Sequence, residues 1–352
     1  MTSRDPSPRP RPLPAPVWPA LGILTLIVFN ALSDTLAPSG PGLLGPGAFL
    51  HVAVVDGAPA GALIDILHYG GAIAILALGM APVIATRGVD LSVGAVMAIA
   101  AAAAARLSIA GTPGVPALAG ALAVAGACGL WNGVLVVTLR LQPFVATLVL
   151  MVAGRGLAQM LTGGQILTFH DPLLEYLDQG RPGWLPMPMP FLLGAALLVL
   201  TCLATRRAPL GLLIESVGSN PEAARLSGVR AGPLVVGCYV WCAACAGLAG
   251  LIAGAGIKAA DPFNTGRNAE LAAIFAVVVG GTSLLGGRFS LAGAFVGGML
   301  MQGLTTTMYA RDIRSDVAPL PQALLILTIC AAGAPRARAL ARRLAGRPRG
   351  TA

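Results

Sequence analysis

Apolar stretches with few charges follow one another along most of the chain, and each approaches the about 20 helical residues that cross a bilayer. They lie near residues 17–36, 63–86, 89–110, 115–139, 143–161, 188–205, 232–257, 270–286, 290–309 and 317–334. Only 11% of the 352 residues are charged, whereas soluble domains carry about 25%. The sequence therefore predicts an all-α integral membrane protein with about ten transmembrane helices, some of them short or broken.

Basic residues occur in alternate connections between these stretches, and cytoplasmic connections are enriched in arginine and lysine. The connections assigned to the cytoplasm carry Arg4, Arg9 and Arg11; Arg87; Arg140; Arg206, Arg207, Arg225 and Arg230; Arg288; and the tail from Arg336 to Arg349. The acidic or mixed connections, assigned to the outside, carry Asp34 and Asp56; Asp171, Glu175 and Asp178; Asp261 and Glu270; and Asp312 and Asp316. This alternation predicts an even number of helices with both termini cytoplasmic.

Three regions follow from this pattern. Residues 1–16 are rich in proline and arginine and are predicted to form a disordered cytoplasmic tail. Residues 17–334 form the predicted transmembrane domain, and 335–352 a basic cytoplasmic tail. The stretch 17–36 has the flank of either a cleavable signal peptide or a first helix, and the even helix number favours the helix.

Several functional classes have little support. The net charge of +9 is spread over short clusters without interleaved aromatic residues, which argues against a nucleic-acid partner. The chain has no Gly-Lys dipeptide, so it lacks a phosphate-binding loop for ATP. The three histidines, His51, His68 and His170, have no metal-ligand spacing, and no catalytic constellation stands out. An enzymatic function therefore has little support, and we expect neither a cofactor nor a metal.

Three cysteines match the C-x-x-x-C-x-x-C spacing of an iron–sulfur motif: Cys238, Cys242 and Cys245. A cluster site needs a loop that folds three thiolates around iron. Here the stretch continues as the glycine-rich apolar run "AGLAGLIAGAG", which favours a packing role for the cysteines.

The segment "TRGVDLSVG" places Arg87 and Asp90 inside a long apolar region. One interpretation is a solvated cytoplasmic turn in which Asp90 is the N-cap of the next helix. The other is a broken helix that lines a substrate path, where a buried carboxylate must be paired or solvated. Arg87 is the nearest candidate partner. Asn132, Gln142, Thr147 and Arg155 are further polar side chains in apolar surroundings; they could bind a polyol or a neighbouring helix.

Residues 206–231, "RRAPLGLLIESVGSNPEAARLSGVRA", form the longest polar connection assigned to the cytoplasm. The pattern predicts two short helices around a Gly-Ser-Asn-Pro turn, with Asn220 as cap, Pro221 at the first position and Gly228 as stop. An amphipathic loop and a docking surface for a cytoplasmic partner are both compatible with it.

Four motifs in order resemble the permease subunits of ribose-type ABC sugar importers, and most of all galactofuranose-type permeases. They are "GVDLSVGAVMAIA", "NGVLVVTLRLQPFVATLVLMVAGRG", "GSNPEAARLSGV" and "ELAAIFAVVVGGTSLLGGRFSLAGAFVGG". The resemblance runs from about Pro59 to Cys330. Members of the family commonly read "GGIDLSVG" where this chain has "RGVDLSVG".

This resemblance implies a multi-pass protein of the bacterial inner membrane that moves a monosaccharide, a pentose or a furanose-form hexose. Its implied partners are two cytoplasmic ABC ATPase subunits, a periplasmic sugar-binding protein, a second permease copy (identical or paralogous) and membrane lipid. The translocation path would include Asp90, Ser92, Asn132, Gln142, Thr147 and Arg155. The ATPase would dock on Glu215, Gly218, Asn220, Glu222, Ala223, Ala224, Arg225, Ser227 and Gly228. The alternative is a proton-coupled secondary transporter in which Asp90 carries the proton.

Overall fold

The computed structural model describes residues 16–36, 49–55, 58–182 and 187–311, with isolated positions between 313 and 327. Its helices are α1 (Val17–Leu36), α2 (Ala62–Ala85), α3 (Val93–Ile109), α4 (Gly114–Thr138), α5 (Pro143–Thr162), α6 (Pro172–Gln179), α7 (Met189–Arg207), α8 (Leu210–Ser219), α9 (Pro221–Leu226), α10 (Ala231–Ile257), α11 (Ala269–Val279) and α12 (Leu291–Ala310). Four strands of two or three residues lie in the connections: β1 (Ala53–Val55), β2 (Ala58–Ala60), β3 (Leu167–Thr168) and β4 (Ala259–Ala260).

Among the described residues, four helices are long and apolar enough to cross a membrane: α2, α4, α5 and α10. The helices α7 and α8 would add a fifth span if the pair, bent by 79°, counts as one. The protein is thus an α-helical, multi-pass membrane protein. The count of about ten and the cytoplasmic termini stay predictions, and most of the predicted span 317–334 lies outside the described residues, as do both terminal tails.

The boundaries of four helices agree with the predicted spans. The helices α2, α4, α5 and α10 begin and end within one residue of 63–86, 115–139, 143–161 and 232–257. The prediction for 270–286 is too long, because α11 ends at Val279 before Gly280 and Gly281, and Gly281 has φ 87°. A residue with this dihedral terminates a right-handed helix.

The centre of the bundle consists of α2, α3 and α10, and α10 packs against both α2 and α3. Val93 to Ala105 of α3 are all buried, as are Ala74 to Ala85 of α2. The helix α4 packs on α10, α5 on α3, and α7, α11 and α12 on α2. Large apolar side chains on α4 and α5 remain exposed, among them Val115, Val152 and Met160, as suits a surface in contact with lipid or a second chain.

Small residues allow these helices to approach closely, as the "GLIAG" and "GAFVG" motifs predict. A Cβ atom at Gly250 of α10 would overlap the backbone of Met97 in α3. One at Gly297 of α12 would overlap the carbonyl of Ala276 in α11. The three motif cysteines, Cys238, Cys242 and Cys245, are buried on the continuous helix α10.

The short strands are the one departure from an all-α chain. Strands β1 and β2 form an antiparallel hairpin, and β3 pairs antiparallel with β4 through Leu167 with Ala260 and Thr168 with Ala259. The second pair joins the connection after α5 to the end of α10. Two-residue pairs have no detectable alternation in sequence, so a pattern of hydrophobicity does not predict them.

Candidate translocation and coupling site

The site begins where α2 ends. Arg87 adopts φ 65°, and the N–H of Gly88 donates to the Val83 carbonyl at 2.9 Å. A left-handed residue followed by such a bond closes the helix and turns the chain. A Cβ atom at Gly88 would lie 2.6 Å from the Tyr239 hydroxyl of α10, so glycine is the residue that fits here.

Asp90, Ser92 and Asn132 form one buried hydrogen-bonded cluster. The Ser92 N–H and hydroxyl both donate to Asp90 Oδ1, at 2.9 and 2.6 Å. Asn132 Nδ2, from α4, donates to Ser92 Oγ at 2.9 Å and lies 3.4 Å from Asp90 Oδ1. All three side chains have 0% exposure. These hydrogen bonds therefore link the start of α3 to α4.

Two expectations about Asp90 need correction. The helix α3 begins at Val93 with Ser92 as N-cap, so Asp90 lies two residues before the cap and supports it through the Ser92 N–H. Arg87 is not its partner: among the described ion pairs none involves Asp90, and the Arg87 guanidinium binds elsewhere. The sequence places Arg87 three positions away, but the turn at Gly88 separates the two side chains.

The remaining path candidates do not all join this cluster. Thr147 of α5 is buried beside it, and its hydroxyl donates to the carbonyls of Val89 and Pro143, at 3.3 and 3.0 Å. Gln142 is exposed at the N-cap of α5. Arg155, eight residues or about 12 Å beyond Thr147 at 1.5 Å per residue, donates to the Thr265 carbonyl at 2.5 Å.

The cluster has unused hydrogen-bonding capacity. Asp90 Oδ2 and Asn132 Oδ1 are buried, and within the described part of the chain no nitrogen or oxygen donor binds either atom. The Cys242 thiol of α10, a weak donor, lies beside the Asp90 carboxylate. Buried acceptors without a donor are costly and uncommon. These two oxygens are suited to accept hydrogen bonds from hydroxyl groups or water. In this conformation the cluster is closed to solvent.

Arg87 joins the end of α2 to the joint between α8 and α9. Its Nε donates to the Gly218 carbonyl and its Nη2 to the Ser219 carbonyl, both at 2.5 Å. These are the last carbonyls of α8, which has no basic residue of its own in its last turn. A cation at a helix C-terminus satisfies free carbonyls and is favoured by the helix dipole.

A second contact reinforces this junction. The Gly287 N–H donates to the Ala85 carbonyl at 2.9 Å, and a Cβ atom at Gly218 would overlap that same carbonyl. The end of α2, the end of α8 and the Gly286–Gly287 loop thus meet with backbone in direct contact. We call this contact, with the Arg87 side chain, the Arg87 junction. Sequence reasoning missed it because its acceptors are backbone atoms.

The segment 206–231 folds as predicted, with α8 and α9 around the turn. Asn220 Oδ1 accepts from the Ala223 N–H at 3.1 Å and caps α9, Pro221 is its first residue, and Gly228 follows it with φ 85°. Gly218 and Ala224 are buried and Glu215 is half-buried, while the other predicted docking residues are exposed: Asn220, Glu222, Ala223, Arg225, Ser227 and Gly228.

Charged side chains lie close together at the C-terminal end of α10. Lys258 Nζ lies 2.8 Å from Glu175 Oε2, and the hydrogen bond from Lys258 lowers the pKa of Glu175. His68 Nε2 lies 3.0 Å from Asp178 Oδ1. These contacts tie α6 to α2 and α10. In the described residues no group of three or more His, Cys, Asp or Glu could hold a metal ion.

Comparison with known proteins identifies relatives that are membrane permeases. Residues 62–330 match the family described as branched-chain amino acid transport system / permease component. The galactofuranose transporter permease protein YtfT of Escherichia coli is 45% identical over 281 residues, covering 80% of this chain and 82% of the relative. The fructose import permease protein FruF of Bifidobacterium longum is 38% identical, with coverage of 80% and 79%.

The ribose import permease protein RbsC of Escherichia coli is 32% identical over 331 residues, covering 93% of this chain and 97% of the relative. No solved structure matches the chain significantly. The family match includes the 86–93 turn, the buried cluster and the segment 206–231, and the relatives are similar over at least 79% of their own lengths. The chain therefore belongs to the ribose-type family of ABC sugar permeases.

Proposed function

We propose that this chain is the membrane-spanning subunit of an ATP-driven importer for a monosaccharide, a pentose or a furanose-form hexose. The relatives named above are permeases for galactofuranose, fructose and ribose. These sugars include a pentose and hexoses that adopt a furanose ring. The absence of a phosphate-binding loop from the sequence fits hydrolysis of ATP on a separate subunit.

The proposed assembly lies in the bacterial inner membrane. Two permease copies, identical or paralogous, enclose the path, with two ATPase subunits on the cytoplasmic side and a sugar-binding protein on the periplasmic side. The alternation of arginine-rich and acidic connections supports this orientation. It places the segment 206–231 and the Arg87 junction inside, and α6 with Glu175 and Lys258 outside.

The segment 206–231 is the proposed docking site for the ATPase, and the Arg87 junction is the observation that carries this proposal. The junction makes α8, α9 and the end of α2 one mechanical unit. Asp90 follows Arg87 by three residues, so a displacement of α8 reaches the buried cluster through a single turn. Closure of the ATPase dimer would therefore move the same backbone that holds Asp90, Ser92 and Asn132.

The buried cluster is the proposed gate of the path. Asp90, Ser92, Asn132 and Thr147 lie together at the meeting point of α3, α4 and α5, and the unused acceptors on Asp90 and Asn132 suit sugar hydroxyl groups. Gln142 lies at the N-cap of α5, and Arg155 lies eight residues beyond Thr147 on the same helix, so neither belongs to the buried cluster. We place Arg155 toward the outer mouth because it binds the 265 loop, which the arginine alternation assigns to the outside.

Charge reversal on α9 tests the docking site. Glu222 and Arg225 form an exposed pair at 2.6 Å, each side chain 68% exposed, and such a solvent-screened pair contributes little to folding. We expect Glu222→Arg and Arg225→Glu each to reduce ATPase copurification with the tagged permease, and uptake, at least about tenfold. Helical content and insertion should stay unchanged.

The double swap Glu222→Arg/Arg225→Glu separates docking from local stability. It restores an ion pair within α9 but presents reversed charges to a partner. The reduction in ATPase copurification and in uptake should therefore persist. The matched control is Glu175→Lys/Lys258→Glu, which swaps a pair at the opposite end of α10. Normal ATPase association in both single variants, or full rescue by the double swap, would contradict a docking role for this surface.

A further inference from the structure

A lateral cleft opens between α7, α8 and the first half of α10, and residues of the segment 206–231 form part of its wall. Its volume is about 790 Å³, within the range of about 300–1,000 Å³ typical of ligand sites. The lining is mostly apolar and includes Leu200, Leu213, Ile214, Leu234 and Trp241. The buried cluster around Asp90 is not part of it.

The hydroxyl and indole groups in the walls of the cleft already donate hydrogen bonds within the protein. The hydroxyls of Thr201 and Thr205 donate to carbonyls one turn back in α7, at 2.7 and 2.8 Å. The Trp241 indole N–H donates to the Leu78 carbonyl at 3.3 Å. A sugar would therefore find few partners, because a site for a polyol needs free donors and acceptors. The walls favour a long apolar occupant.

One charged residue, Arg230, borders the cleft. It is exposed and stands at the N-cap of α10, where no side chain caps the helix. Among the described ion pairs none involves Arg230. The helix start adds a partial positive charge to that of the guanidinium. The occupant that complements this arrangement has an anionic head and an apolar body.

We propose that the cleft binds an anionic phospholipid, with one acyl chain between α7 and α10 and the phosphate on Arg230. The chain is a membrane protein, so lipid surrounds it, and basic residues near the inner surface attract anionic headgroups. Arg230 lies on the side that the arginine distribution assigns to the cytoplasm, so the lipid comes from the inner leaflet. This last assignment rests on the orientation proposed above; the binding itself does not.

Gly237 offers a way to fill the cleft without disturbing the protein. It lies on α10 in the lining, and a Cβ atom there would meet nothing within 4 Å. Gly237→Leu therefore places a side chain in the space assigned to the acyl chain, and leucine favours helix over glycine. The matched control is Gly126→Leu on α4, where a Cβ atom also meets nothing within 4 Å.

The test uses the full-length chain in nanodiscs with a phosphatidylglycerol that carries a photoreactive group on its acyl chain. Cross-links should map to 210–214 and 234–241. Gly237→Leu should lower this labelling at least about fivefold, and Gly126→Leu should leave it unchanged. Arg230→Gln should reduce the preference for phosphatidylglycerol over phosphatidylcholine about fivefold, while Arg140→Gln, at another exposed basic position, should not.

Thermal melting of each variant checks that it is folded. Equal labelling of Gly237→Leu and the wild-type chain would overturn the proposal. Cross-links between the cleft and residues 317–334, or between the cleft and a second copy, with lipid labelling absent, would also overturn it, because they would identify a protein segment as the occupant.

Discussion

Asp90 is a buried carboxylate that supports the backbone through one oxygen and leaves the other without a nitrogen or oxygen donor in the described structure. The two oxygens have different roles in the account proposed here. Oδ1 holds the Ser92 N–H and hydroxyl and so shapes the start of α3. Oδ2 is available to a hydroxyl group that enters the gate.

Two substitutions at Asp90 separate these roles. Asp90→Ala removes the acceptor of two buried donors, which costs about 1–3 kcal/mol for each unsatisfied group, so we expect a lower melting temperature and less assembled complex. Asp90→Asn keeps an Oδ1 acceptor but places an N–H₂ donor at Oδ2. It should fold normally and transport poorly, as uptake and thermal melting of the purified complex would show. Wild-type uptake by Asp90→Asn would reduce Asp90 to a replaceable turn residue.

At this scale the sequence predicts which polar side chains lie together inside the bundle better than it predicts their hydrogen-bond partners. Asp90, Ser92, Asn132 and Thr147 are polar groups in apolar surroundings, and such groups must find one another. The structure brings these four together. Arg87 was paired with Asp90 on proximity alone, whereas its actual acceptors are carbonyls about 130 residues away. Backbone acceptors have no side-chain signature, so this contact could not be read from the sequence.

Between elements, the Arg87 junction connects the proposed docking helices to the gate. Its chemistry is specific to a planar guanidinium, because two nitrogens reach two successive carbonyls. The family motif "GGIDLSVG" that this segment resembles has glycine at position 87, and the resemblance therefore implies that the side-chain part of the junction is particular to this chain. The backbone part, from Gly287 to Ala85, does not depend on the arginine.

Substitution of Arg87 tests the transmission step. Arg87→Met removes both hydrogen bonds while keeping a long stem, and we expect ATP hydrolysis by the complex to continue while sugar transported per ATP falls at least about threefold. Arg87→Lys keeps a single cationic donor group. Its amount of sugar transported per ATP should therefore lie between those of Arg87→Met and the wild-type chain. Arg140→Met serves as the control because Arg140 is also basic, exposed and at positive φ. An unchanged ratio of transport to hydrolysis in Arg87→Met would contradict the role.

Element boundaries are predictable where local chemistry ends a helix. Pro143 and Pro221 stand at first helical positions, and Asn220 caps α9 as expected. The shortening of α11 and the placement of the cap at Ser92 were missed. The end of α11 depends on the backbone conformation at Gly281. Ser92 at the start of α3 is held by hydrogen bonds with Asp90 and Asn132. The periodicity of apolar residues indicates neither feature.

Across the whole molecule, the chain is a bundle with α2, α3 and α10 at its centre and exposed apolar faces on α4 and α5. Its fold class and family follow from composition and ordered motifs. The surfaces that contact lipid or a second copy do not follow from one chain, because they depend on partners.

The central claim is that the chain is a passive gate driven by a separate ATPase. The most direct test reconstitutes it in liposomes, alone or with its ATPase and sugar-binding partners, and follows uptake of labelled ribose, fructose and galactofuranose against a gradient. We expect accumulation of one such sugar only with all partners and ATP, and no effect of a protonophore. Uphill uptake by the chain alone, abolished by a protonophore, would contradict the account and support a proton-coupled transporter that uses Asp90.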